Sequence, residues 1–148
     1  MTFRFVAAFS LLLLTFLAAQ QTGYVTVSDG ARLFYKTSGK PCPGVDTITA
    51  IHGGPGLDLG TIYNDMAVMF GNRHVVIYYD QRGGGRSELP ADTTRLFAPR
   101  QIQDLDDVRK HFKLDGVTLV AHSYGPLLAG IRRISGRGKA FVTTPRLM

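Results

Sequence analysis

Several things are scarce in this 148-residue chain, and each scarcity excludes something. Cys42 is the only cysteine, so no internal disulfide can form, and a secreted form must be stable without one. The segment "GKPCPG" around it reads as a loop, which argues against a reactive-thiol role. No Asn-x-Ser/Thr sequon occurs. Acids are missing from one end. Residues 132–148 carry Arg132, Arg133, Arg137, Lys139 and Arg146 with no Asp or Glu, whereas residues 1–131 hold 12 basic and 11 acidic side chains. The net charge of +6 is therefore a property of the tail. The body is nearly neutral and lacks basic–aromatic interleaving, so no nucleic-acid partner is expected.

Long apolar runs are also scarce. The one candidate, Phe5 to Ala19, follows Arg4 and ends in small residues. It falls short of the ~20 residues a membrane-spanning helix needs. The layout is that of a secretory signal peptide over residues 1–20, so secretion is expected. Membrane-anchored and cytoplasmic forms are the alternatives, and no stable anchor is expected.

What is present has the composition of one ordinary globular domain, with 45% hydrophobic and 19% charged residues. "YVTVS" (24–28) and "RLFYK" (32–36) alternate polar and apolar residues around Asp29-Gly30, which predicts a two-residue hairpin. "TITAI" (47–51) reads as the next strand, and "HVVIYYD" (74–80) and "VTLVA" (117–121) are mostly apolar, as strands covered on both faces are. Between them, Ile62, Met66 and Met69–Phe70 fall at helical spacing over 61–70. Ile102, Leu105, Val108 and Phe112 do so over 100–114, where acids come early and bases late. Residues 88–99 read as a connecting loop. Strands alternating with helices imply a mostly parallel sheet led by an antiparallel hairpin.

Two loops carry candidate chemistry. In Ala121-His122-Ser123-Tyr124-Gly125 a serine stands at a strand-to-helix junction with small residues two positions away on each side. That is the pattern of a nucleophile elbow, whose tight turn excludes larger neighbours. Pro126 suits the first turn of the following helix. "HGGPG" (52–56) follows the third strand, and its glycines let backbone N–H groups come close to a substrate. The pair predicts Ser123 as nucleophile, with the N–H groups of Gly54 and Tyr124 as oxyanion donors. A third loop, "YDQRGGGRS" (79–87), lacks the spacing of a phosphate-binding loop and reads as structural.

"HGGPG", "YDQRGGGRS" and "AHSYG", in this order, resemble the α/β-hydrolase superfamily, and within it the proline iminopeptidases and related amino-acid amidases. The resemblance runs from about Gly23 to Gly130. It implies an α/β-hydrolase fold and a serine aminopeptidase that releases an N-terminal residue from a peptide or amide, with no metal and no cofactor. Esterase- or lactonase-like hydrolases are the alternative within the superfamily, and a non-catalytic secreted fragment is the alternative outside it. Epoxide hydrolases use an acid as nucleophile, so Ser123 argues against that branch.

The triad of this fold runs Ser, then Asp or Glu, then His. Residues 124–148 contain none of the three partner types. His52, His74, His111 and His122 all read as structural. The expectation is a partial domain over 21–131, cut short after the elbow helix, with a tail (132–148) unlike the family and no activity of its own. Strand 117–121 should then be an unpaired, aggregation-prone edge.

Overall fold

The computed structural model describes residues 20–116 and 118–128 and the strand at 139–142. Residues 1–19 of the expected signal peptide lie outside the described residues. Among the described residues, six strands form one sheet: β1 (Thr22–Thr26), β2 (Arg32–Ser38), β3 (Ile48–Ile51), β4 (Val76–Tyr79), β5 (Thr118–Ala121) and β6 (Lys139–Val142). Their order is β1-β2-β4-β3-β5-β6. The β1–β2 and β2–β4 pairs are antiparallel, and β4–β3, β3–β5 and β5–β6 are parallel. Helix α1 (Gly60–Phe70) connects β3 to β4, and helix α2 (Ala98–His111) connects β4 to β5. This is the mixed α/β sheet that the alternation of apolar runs predicts.

Period-two alternation explains why β4 is apolar throughout. Ile77 and Tyr79 face α2, packing with Leu33, Ile51, Leu105, Val108, Leu119 and Leu128. Val76 and Tyr78 face α1, packing with Phe34, Ala50, Ile62, Met66 and Val120. A strand roofed on both sides has no polar face to alternate with.

Four expectations are corrected. First, β5 is not an edge: β6 pairs with it in parallel, Leu119 opposite Ala140 and Val120 opposite Phe141. "KAFV" is short and β-prone, and the basic residues around it hide the signal in a charge count. Second, the hairpin loop holds three residues, 28–30. The Val27 and Gly30 N–H groups donate to Ala31 O (2.9 Å) and Val27 O (2.8 Å), and Gly30 takes the left-handed φ of +91°. This is a turn closed by a glycine bulge.

Third, residues 88–99 are not all loop. Asp92 accepts from Thr94 N at the start of a 3-10 turn, Thr93–Leu96, and α2 begins at Ala98. Pro99 is tolerated there because a first-turn N–H has no helical partner anyway. Fourth, α1 buries Ile62 and Met66 but leaves Met69 61% exposed. In α2 the inward face includes the polar residues Gln101, Asp104 and Asp107 beside Leu105 and Val108. Ile102 and Phe112 are only partly buried.

Candidate active site

The carboxyl ends of β3, β4 and β5 lie side by side, and each leads into one of the three loops. β5 delivers the elbow. The His122 N–H donates to Ile51 O at 3.0 Å, extending the β3–β5 ladder by one residue. Ser123 then adopts φ +54°, the left-handed region that costs a side-chain-bearing residue ~1–3 kcal/mol. The Gly125 N–H closes the turn on His122 O at 2.9 Å. Residues 125–128 are helical, and Ser123 is exposed at the apex.

Packing fixes the small neighbours. A Cβ at Gly125 would stand 2.9 Å from Ile51 O and 3.1 Å from Ala121 Cβ, closer than ordinary contacts. Gly125 is small because the end of β3 and the Ala121 methyl lie directly against it.

β3 delivers the glycine loop. A Cβ on Gly53 would lie 2.7 Å from Ser123 Cβ and 3.1 Å from His122 Nδ1, so the loop abuts the serine. Gly54 follows at φ +56°. Among the described residues, none accepts a hydrogen bond from the N–H of Gly54 or of Tyr124.

β4 delivers the third loop, and it is a brace. Asp80 Oδ1 accepts from Leu59 N (2.7 Å) and Oδ2 from Arg86 N (2.8 Å). Its carbonyl accepts from Ser87 Oγ (2.6 Å), which in turn accepts from Phe34 N (2.9 Å). Gly84 packs so closely on Leu57 O that a Cβ would collide with it, so the brace supports the glycine loop from behind. Arg82, with a fully buried side chain, reaches the other way. It binds Asp104 at 2.8 and 2.7 Å and Asp29 at 3.1 and 3.2 Å. Arg100 joins the same two acids at 3.1 and 3.2 Å. Burial works against ionising Asp29, but the Arg82 hydrogen bonds and the Ala31 N–H outweigh it and hold its carboxyl at about 2. The hairpin loop, the brace and α2 are tied together by this cluster.

The imidazoles are each placed. His52 is fully buried under the glycine loop. Burial pushes its pKa below the ordinary value, against the Gly53 carbonyl it bonds, so it is neutral near pH 7. His74 precedes β4, with Nδ1 2.9 Å from Asp46 O, at the opposite end of the strand from the brace. His111 closes α2 against Tyr35 and Phe112. His122 is half-buried, and its Nδ1 has no hydrogen-bond partner among the described residues. None of the four forms a hydrogen bond with Ser123 among the described residues. The Arg82–Asp104–Asp29 cluster was not apparent in the sequence. The available signal was the placement of "DQR" immediately after a fully buried strand.

A family model described as alpha/beta hydrolase fold matches residues 46–130. The chain belongs to the α/β-hydrolase family. This α/β hydrolase is 33% identical over 107 residues to the proline iminopeptidase of Heyndrickxia coagulans, covering 72% of this chain and 36% of that protein. It is 33% identical over 119 residues to a putative proline iminopeptidase of Mycoplasma pneumoniae, covering 78% and 36%. Among solved structures, a proline iminopeptidase-related protein of Thermus thermophilus superposes with a TM-score of 0.72 at 27% identity, over 84% of this chain and 44% of that one. The chain thus spans about a third of the length of the curated relatives it matches.

Proposed function

We propose that this α/β hydrolase carries the nucleophile and oxyanion half of a serine aminopeptidase of the proline iminopeptidase type, acting on the N-terminal residue of a peptide or amino-acid amide. Ser123 Oγ is the attacking atom. The N–H groups of Gly54 and Tyr124 receive the oxygen that becomes negative in the tetrahedral intermediate. The observation that carries this reading is Ser123 in a left-handed conformation at the strand–helix junction, against Gly53. The relatives named as proline iminopeptidases support the substrate class.

A hydroxyl is a weak nucleophile until a base takes its proton, and an amide's leaving amine needs that proton back. No described side chain is bonded to Ser123 to do either. The 148-residue chain by itself should therefore be a very poor peptidase. The test is release of p-nitroaniline from proline p-nitroanilide by the chain and by Ser123→Ala. Turnover in the ordinary enzyme range of ~1–10³ s⁻¹, abolished by Ser123→Ala, would establish the nucleophile but refute the missing base. Turnover that survives Ser123→Ala removes Ser123 from the reaction.

A further inference from the structure

His52 is a buried imidazole that the reaction itself does not use, and its contacts define a specific task. The backbone N–H of Gln81 can only donate, and it meets His52 Nε2 at 2.9 Å. Nε2 is therefore bare, and in a neutral ring the proton sits on Nδ1. Nδ1 lies 2.9 Å from the Gly53 carbonyl oxygen, to which it donates. The Gln81 carboxamide completes the arrangement, donating to the His52 carbonyl at 2.7 Å. With no exposed surface on the ring, this imidazole has one orientation and one tautomer.

We propose that His52 is a positioning residue that aims the Gly54 N–H at the oxyanion; the inference rests on the oxyanion role given to Gly54 above. The link is the planar trans peptide. The Gly53 carbonyl and the Gly54 N–H belong to one rigid unit and point in opposite directions. Holding the carbonyl on the buried ring turns the N–H outward, to the open side of the loop. Without that anchor, Gly53 and Gly54 are the two residues least able to hold a peptide plane, since neither has a Cβ. The β4 brace thereby reaches the site: Gln81 fixes the ring, the ring fixes the Gly53 carbonyl, and the carbonyl fixes the donor.

Two substitutions separate the halves of this clamp. In His52→Asn a side-chain N–H takes the Nδ1 position and keeps the Gly53 bond while losing Gln81. In His52→Gln the longer amide reaches the Nε2 position and keeps Gln81 while losing Gly53. Both remove one bond from the same buried site, so a merely structural role would affect them alike. Acylation of Ser123 by p-nitrophenyl acetate should fall ~10²-fold or more in His52→Gln, as for loss of an oxyanion donor. In His52→Asn it should stay within a few-fold. The Gly54 amide resonance should move in the Gln variant and hold in the Asn variant. Equal losses in acylation, or a Gly54 resonance unchanged in His52→Gln, would overturn the proposal.

A measurement on the unsubstituted chain guards against variants that do not fold. Long-range ¹⁵N–¹H correlation at pH 7 should show His52 protonated at Nδ1, and the opposite tautomer would overturn the clamp. If wild-type Ser123 is not acylated at all, the functional reading fails, and the tautomer and the Gly54 resonance still decide whether His52 sets the peptide plane.

Discussion

Arg82→Met offers the sharpest test of how the site is braced. The substitution keeps the aliphatic volume but removes a guanidinium that is wholly buried and makes four hydrogen bonds of 2.7–3.2 Å. Removing one partner of a buried ion pair costs ~3–5 kcal/mol, because the other charge stays behind without compensation. Here the abandoned acids are not alone. Asp104, 1% exposed, keeps Arg100 at 3.2 Å, and Asp29 keeps it at 3.1 Å. The expected cost is therefore at the low end, about 3 kcal/mol. With a urea m-value of ~2 kcal/mol/M, the midpoint should fall by about 1.5 M. The compensating variant Arg82→Met/Asp104→Leu removes both charges from the interior and leaves Asp29 paired with Arg100. It should recover to within ~1 kcal/mol of the parent, since an apolar replacement of a buried pair is often neutral or better. Urea unfolding followed by circular dichroism measures all three proteins. A single variant costing under ~1 kcal/mol, or a double variant no better than the single, would refute the view that desolvated charge dominates this cluster.

Gly125→Ala should destabilise by ~1–3 kcal/mol, seen as a lowered thermal midpoint, because its Cβ would press within 2.9 Å of Ile51 O. Ser123→Gly should do the opposite, stabilising by about 1 kcal/mol by relieving the left-handed strain, while abolishing acylation. Acidification should cost stability in two stages, measured by urea midpoints across pH. His52 has a folded pKa below its unfolded value, so the unfolded chain binds the proton first and stability falls as pH drops below ~6.5. Asp29, held at about 2, is likewise depressed. Its contribution is intact above ~4 and is lost as pH falls through the folded pKa.

The legible parts of the fold were those where one physical demand dominates. β4, and β5 from Leu119 on, had to be apolar because both sheet faces are roofed, so five of the six strands could be read from period and run length. The elbow was legible because close packing on Ile51 and Ala121 leaves no room for a side chain at Gly125. β6 was not. Four residues of modest apolarity inside a basic tail carry no periodicity, and only their pairing with β5 makes them a strand. The polar inner face of α2 was missed for a related reason. Asp104 and Asp107 look like solvent-facing helix residues until Arg82, 22 residues earlier than Asp104, and the Ser28 N–H are brought against them. His52 read as structural, and its contacts with the Gly53 carbonyl and the Gln81 N–H join residues 29 positions apart that the sequence does not bring together.

The central claim is that Ser123 is the nucleophile. The direct measurement is mass spectrometry of the 148-residue chain after incubation with p-nitrophenyl acetate, because that leaving group departs without a proton and so does not need a general acid. The account predicts a slowly formed acetyl adduct on the peptide containing Ser123, absent in Ser123→Ala. An adduct confined to other residues, or labelling of the Ser123→Ala chain equal to that of the parent, would contradict it.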